Sequence, residues 1–171
     1  MTNFSTGRAM ALALVLSLGL GACAKNTAEL DGGLGGAGGY GSGQHGGPGS
    51  AEEFAASVGD RVFFDSDQTE LTDKGQATLD KQAEWLNRYG RYHFTIEGHA
   101  DERGTREYNF ALGARRAQTV HDYLVAKGVS ASRMKTISYG KERPVAVCDD
   151  ISCWSQNRRA VTVLNGAPGS S

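Results

Sequence analysis

Between Gly32 and Gly49 the chain reads GGLGGAGGYGSGQHGGPG, eleven glycines in eighteen residues. A segment with so little apolar surface cannot offset the conformational entropy lost on ordering, so it is expected to act as a tether and not as part of a core. Whatever folds must do so within the roughly 115 residues that follow, from Glu53 to Gly166, enough for one small domain with its own core. The tether contains a literal G-x-G-x-x-G at Gly41, Gly43 and Gly46. No strand pattern precedes it and no helix pattern follows, which removes a dinucleotide-binding reading.

Ahead of the tether, Arg8 precedes AMALALVLSLGL, an apolar run with the length of a secretory signal core and too short to cross a bilayer comfortably. Residues 1–22 are therefore expected to be a signal peptide. The run closes in LGAC, Leu20 to Cys23, which resembles the lipobox of bacterial lipoproteins. That resemblance implies cleavage before Cys23 and acylation of its thiol and new amino group. With Ala24 in place of an acidic residue, it implies delivery to the outer membrane of a Gram-negative cell. Several acyl chains on one cysteine hold firmly, since each buried methylene contributes about 0.8 kcal/mol. Residues 23–52 then form the lipidated N-terminus and flexible tether, with a root-mean-square reach of roughly 30–35 Å.

After cleavage 17 Lys and Arg face 19 Asp and Glu, a net charge of -2. No basic face or run stands out, so nucleic acid is excluded as a partner. Export exposes cysteines to oxidation. With Cys23 acylated, Cys148 and Cys153 remain, separated by DDIS. A short-loop disulfide is the reading that export favours, worth about 2 kcal/mol on a chain-entropy account. Two free thiols, or half of a metal site whose other ligands are missing, are the alternatives.

Within the domain, RVFF (Arg61 to Phe64) is β-prone and closes in DSDQ. Thr72 can cap a helix running to Tyr89, with Leu79, Ala83 and Leu86 on one face, ended by Gly90. RYHFTIEG alternates as a half-buried strand does, Tyr92, Phe94 and Ile96 on one side and His93, Thr95 and Glu97 on the other. A second helix is expected from Tyr108 to Lys127, stopped by Gly128, and MKTISYG and RAVTVLN supply two more strands. The order β-α-β-α-β-β predicts an α/β two-layer sandwich, helices on one face of a small mixed sheet, with residues 167–171 as a disordered tail.

The stretch GHADERGTREYNFALGARRA, Gly98 to Ala117, carries seven charged residues in twenty. Setting Asn109 at zero and advancing about 100° per residue places Gly113, Ala117, Val120 and Leu124 in one apolar stripe. Arg116 falls near 340°, at the stripe's edge beside Asn109 and Leu112, whereas Arg115 falls near 240°, facing solvent. An arginine at the core margin is expected to need an anionic partner. Strand ends and helix starts in α/β layers form a crevice where ligands bind, which makes Asp101 and Arg116 candidates to face each other across it. Two readings stay open. The pair neutralises itself as an ion pair, or it is held apart to grip a ligand bearing an ammonium and a carboxylate on one carbon.

IEGHADERGTREYNFALGARRAQTV, ISYGKERP and SQNRRAV together resemble the OmpA-like peptidoglycan-binding domain over Arg61 to Leu164. The resemblance implies a ligand, the meso-diaminopimelate side chain of uncrosslinked peptidoglycan stem peptides. It implies that Asp101 takes the ligand ammonium and Arg116 its carboxylate, with Asp67 on the first loop lining the same pocket and Asn109 and Leu112 on the helix face beneath. Of Arg158 and Arg159, it implies one at the pocket rim and the other in solvent. Lipid-anchored members further imply docking to the periplasmic β-propeller protein of the Tol system, on a surface overlapping the wall site, and a part in outer-membrane constriction at division. The alternative is a wall-binding lipoprotein without Tol partners; a stator-like motility protein is disfavoured by the lipobox. The cysteine pair in VAVCDDISCWSQ departs from the family pattern beside the NRRA motif.

An enzyme would have to use His99 with Asp101, or Glu97, Asp101 and Glu102. Four histidines exist, and His45, His93 and His121 have no evident route to His99, so no metal set forms. No nucleophile motif is present. A non-catalytic module without cofactor is expected, in which His99 orders the Asp101 turn through hydrogen bonds.

Overall fold

In the computed structural model, residues 46–165 are described; the signal segment, Cys23, the tether up to residue 45 and the tail lie outside them. The elements are α1 (Ala51–Glu53, continuing as a π-helix over Phe54–Gly59), β1 (Arg61–Phe63), α2 (Asp73–Arg88), β2 (His93–His99), α3 (Arg106–Ala126), β3 (Met134–Gly140), α4 (Ile151–Asn157) and β4 (Arg159–Asn165). Four strands form one mixed sheet in the order β1-β4-β2-β3. β4 runs antiparallel to both of its neighbours, and β2 and β3 are parallel.

Local chemistry sets the ends of the long helices. Thr72 Oγ1 accepts from Gly75 N at 3.1 Å and Thr105 Oγ1 from Tyr108 N at 3.2 Å, each satisfying one orphan donor of a first turn. α3 therefore begins two residues earlier than its sequence pattern suggests. It ends in a Schellman motif: Val129 N donates to Leu124 O and Gly128 N to Val125 O, with Gly128 at φ +87°.

The apolar stripe of α3 and that of α2 pack on one face of the sheet, where Leu79, Leu86, Phe94, Ile96, Val120 and Leu124 are fully buried. β2 alternates as expected, Phe94 and Ile96 inward and His93 exposed. Glycine brings α3 unusually close to β2: a Cβ on Gly98 would lie 1.8 Å from Gly113 O. That contact fixes the depth at which the next turn of α3, and so Arg116, sits above the strand.

Two stretches differ from expectation. The folded part takes in residues assigned to the tether: Ser50 caps α1, and Gly49 O accepts from the Tyr92 hydroxyl at 2.7 Å. Phe54, the first core residue, packs against Trp85 with ring centroids 4.8 Å apart. Between β3 and β4, the sequence suggested no element, yet α4 forms there. Asp150 caps it by accepting from Ser152 N at 2.7 Å, and a disulfide joins Cys148 to Cys153.

Candidate functional site

Three connections converge above the carboxyl ends of β1 and β2: the loop after β1, the loop from Ala100 to Thr105 that leads into α3, and the α4–β4 junction. Arg116 is the largest fully buried side chain of the domain and lies beneath them. Its Nε donates to Gln68 O at 2.9 Å, Nη1 to His99 O at 2.9 Å and Nη2 to Asp65 O at 3.1 Å. One guanidinium thus ties the first loop to the end of β2, and its plane faces the Phe64 ring at 5.2 Å. Burial, together with the Arg158 charge, pushes its pKa down to about 10 against the opposing pull of Asp101 and Asp67.

Among the described residues, no ion pair joins Asp101 to Arg116, which corrects the first of the two open readings. The anionic partner expected for Arg116 is replaced by three carbonyl oxygens, whose partial charges converge where two loops close over the helix. Three of the five guanidinium N–H groups are used, leaving one on each terminal nitrogen.

Asp101, buried itself, is held by other arginines. Its carboxylate accepts from Arg103 Nη2 at 2.6 Å, Arg103 Nε at 3.2 Å and Arg158 Nη1 at 3.4 Å. The backbone N–H of Arg103 donates to Asp101 Oδ1 at 3.2 Å, closing an Asx-type turn. Burial alone would raise this carboxyl, but the hydrogen bonds from Arg103 and Arg158 outweigh it and hold it below the usual range. Asn109, also buried, anchors the turn from the helix through Nδ2 to Arg103 O at 2.6 Å, and Leu112 is buried one turn on. Asp67 has a left-handed backbone, φ +57°, rare for a residue with a Cβ, and its carboxylate accepts from Tyr108 Oη at 3.2 Å.

The two terminal arginines diverge, but neither is in solvent. Arg158 belongs to the cluster, with Nε on Phe64 O at 3.0 Å and its Asp101 contact. Arg159 alternates with the core residue Ala160 and so lies on the opposite sheet face, where it donates to Asn157 O and Arg143 O. It is buried because the 141–157 connection folds back toward that face, a consequence of α4 that the sequence pattern does not announce.

His99 sits on that face too, 2% exposed and tilted against Tyr139 at 5.6 Å. Neither ring nitrogen has a hydrogen-bond partner, and Glu97 Oε2 at 3.7 Å from Nε2 is too far for one. The expectation that the imidazole orders the Asp101 turn is corrected: the Arg103 backbone N–H and Asn109 Nδ2 hold that turn, and what His99 contributes nearby is its backbone carbonyl, which accepts from Arg116. Burial, then the charges of Arg159, Arg143 and Arg61, push the imidazole pKa down to about 4. No group of three or more His, Cys, Asp or Glu able to hold a metal occurs among the described residues.

Asp67, Asp101, Asn109, Leu112, Arg116 and Arg158 are therefore gathered in one place, and Arg159 is outside it. Arg103, Tyr108 and Trp154 were missed. Only Arg103 had a signal, the Asp-x-Arg spacing of an Asx turn. A groove of about 600 Å³ along Phe110 and Ser138 to Glu142 lies on the far side of the α3 start and contains none of the cluster. Smaller grooves of about 340 and 330 Å³ reach its edges at Ala100 and Glu102, and at Asp65 and Arg158.

A cluster of this kind at the strand ends of this sheet defines a class: the chain belongs to the OmpA family, whose model matches residues 63–158. At a finer level it is 61% identical over 158 residues to the peptidoglycan-associated lipoprotein of Rhizobium meliloti, covering 91% of this chain and 87% of that protein. It is 42% identical to the protein of the same name from Pseudomonas aeruginosa, over 93% of this chain and 97% of that one. The crystal structure of the peptidoglycan-associated lipoprotein from Burkholderia pseudomallei matches with a TM-score of 0.62 and 42% identity, covering 65% of this chain and 96% of that one. A C-terminal domain of Helicobacter pylori MotB matches at a TM-score of 0.59 with 21% identity, a likeness of fold alone.

Proposed function

We propose that this chain is a non-catalytic outer-membrane lipoprotein that holds peptidoglycan through meso-diaminopimelate. Cys23 carries the lipid, the glycine-rich tether spans the gap, and the cluster at the strand ends grips the wall. The observation that carries the reading is the pairing of an acid held ionised, Asp101, with an arginine whose two unspent N–H groups suit a carboxylate. Asp101 takes the ligand ammonium, and Arg116 its carboxylate. Asp67 and Tyr108 flank the entrance, and Asn109 and Leu112 form the floor. Arg158 is the rim arginine and Arg159 a structural one. A Tol role, docking to the periplasmic propeller over an overlapping surface, is supported by the similarity to GHADERGTREYN and SYGKERP and by the named relatives.

The test is co-sedimentation of the full chain with purified sacculi, with and without free meso-diaminopimelate. Asp101→Asn, checked for native circular dichroism, should lose the sacculi, and the free amino acid should displace the wild type. Retained binding by folded Asp101→Asn would rule out the ammonium seat.

A further inference from the structure

The cluster just described is closed. Arg116 is 0% exposed and the Asp101 side chain 7%, so a ligand cannot reach either without something moving. One side chain spans the mouth. Arg103 is itself 43% exposed, yet its guanidinium contacts all three elements that frame the opening. It forks onto Asp101 on its own loop, donates through Nη2 to Ser66 Oγ on the first loop at 2.7 Å, and lies 4.4 Å above the Trp154 ring on α4. The indole is fixed in turn, its Nε1 donating to the Glu102 carboxylate, and the next residue back is the disulfide-bonded Cys153.

We propose that Arg103 is a built-in latch and competitor: it fills the Asp101 carboxylate as the ligand ammonium would, and binding requires it to swing out along the Trp154 ring. The chemistry of the exchange is one cation for another on the same two oxygens. Asp101 stays ionised and hydrogen-bonded in both states because the Arg103 backbone N–H and Arg158 remain in place. Several features make the swing feasible. The latch is partly exposed, so water solvates its outer side, and its stacking surface offers a path over which the planar cation keeps favourable contact. The latch also sets specificity. A ligand with only a carboxylate leaves Arg103 in place and meets a closed site, whereas one presenting an ammonium displaces it and uncovers Arg116.

If the latched form dominates, apparent affinity is reduced by the fraction of molecules that are open, so removing the latch should tighten binding. This inference rests on the proposed ligand, and calorimetric titration of the full chain in detergent with meso-diaminopimelate separates the two. Wild-type binding that Asp101→Asn abolishes carries the ligand reading. On that background Arg103→Gln should bind about three- to tenfold more tightly, Arg103→Lys should lie between, and Trp154→Ala should shift in the same direction as Arg103→Gln by less. Equal or weaker binding by Arg103→Gln, with wild type bound, overturns the latch alone. No binding by any variant overturns the ligand reading and the latch with it. A second readout does not use ligand: loss of the stacked guanidinium should raise acrylamide quenching of Trp154, and unchanged quenching in Arg103→Gln would show that the clasp is not closed in solution.

Discussion

Arg116→Ala should unfold the domain more readily as well as empty its binding site. The substitution removes three hydrogen bonds from a charged donor, each worth about 1.5–3 kcal/mol in isolation and not additive within one network. Of the three carbonyls left behind, that of His99 is buried and those of Asp65 and Gln68 are partly reached by water. Against this stands the cost of keeping a guanidinium in a site that lowers its pKa to about 10, a cost the variant no longer bears. Leaving a buried carbonyl without its donor costs about 1–3 kcal/mol, and truncating a large buried side chain to Ala adds a cavity, so a net loss of about 3–5 kcal/mol is expected. For 120 described residues, each 1 kcal/mol corresponds to about 4 °C, so the melting temperature should fall by roughly 12–20 °C. Differential scanning calorimetry decides this, with exposed Arg115→Ala as the comparison at about 0.5 kcal/mol or less. An Arg116→Ala protein melting within about 3 °C of wild type would refute the structural role of the three carbonyl bonds. It would also restore the substitution as a clean probe of ligand contact, which the structure denies it.

His99 makes the domain acid-sensitive. Its folded pKa of about 4 lies below the ordinary imidazole value of 6.5, so between these limits the unfolded chain binds more protons. The stability linked to it is fully present above pH 6.5 and lost as pH falls toward 4, at most about 3 kcal/mol. Urea midpoints should fall across that window in wild type and flatten in His99→Asn; parallel curves would rule the imidazole out. Gly98→Ala should cost about 3 kcal/mol or more, because its Cβ meets a backbone carbonyl at 1.8 Å; Gly113→Ala should cost less, because its Cβ meets the Ser138 hydroxyl at 2.5 Å and the nearest backbone atom, Gly98 O, only at 2.9 Å. The reverse ranking in chemical denaturation would overturn the close-approach account.

Much of the framework was legible because it depends on local patterns. Thr72 and Thr105 carry capping chemistry within three residues of their partners, Gly128 announces a left-handed stop, and the alternation of Phe94 with its neighbours states which face is buried. Helix phase separated Arg116 from Arg115 for the same reason. What resisted reading is non-local. The carbonyls that replace an anion beside Arg116 come from Asp65 and Gln68, 51 and 48 residues away, and a carbonyl has no letter in the sequence. α4 is seven residues long and rests on a single cap and a covalent link, so periodicity had nothing to act on. The burial of Arg159 follows from that helix. Gly49 looked like tether because its composition is tether-like; side chains beyond it, Glu53 and, more than 40 residues on, Arg91 and Tyr92, reveal it as a fixed point of the domain.

The place of β4 has a consequence for how the chain comes to be folded at all. The last of the four strands in chain order is the one that lies between β1 and β2, so a chain appearing from its N-terminus has two halves of this sheet and nothing to join them until β4 arrives. Among the described residues β1 pairs with no other strand, and β2 pairs only with β3 until residues 159–165 arrive. Completion of the sheet therefore waits for β4, and a chain that lost residues 159–165 would lose the seam of the sheet instead of its margin.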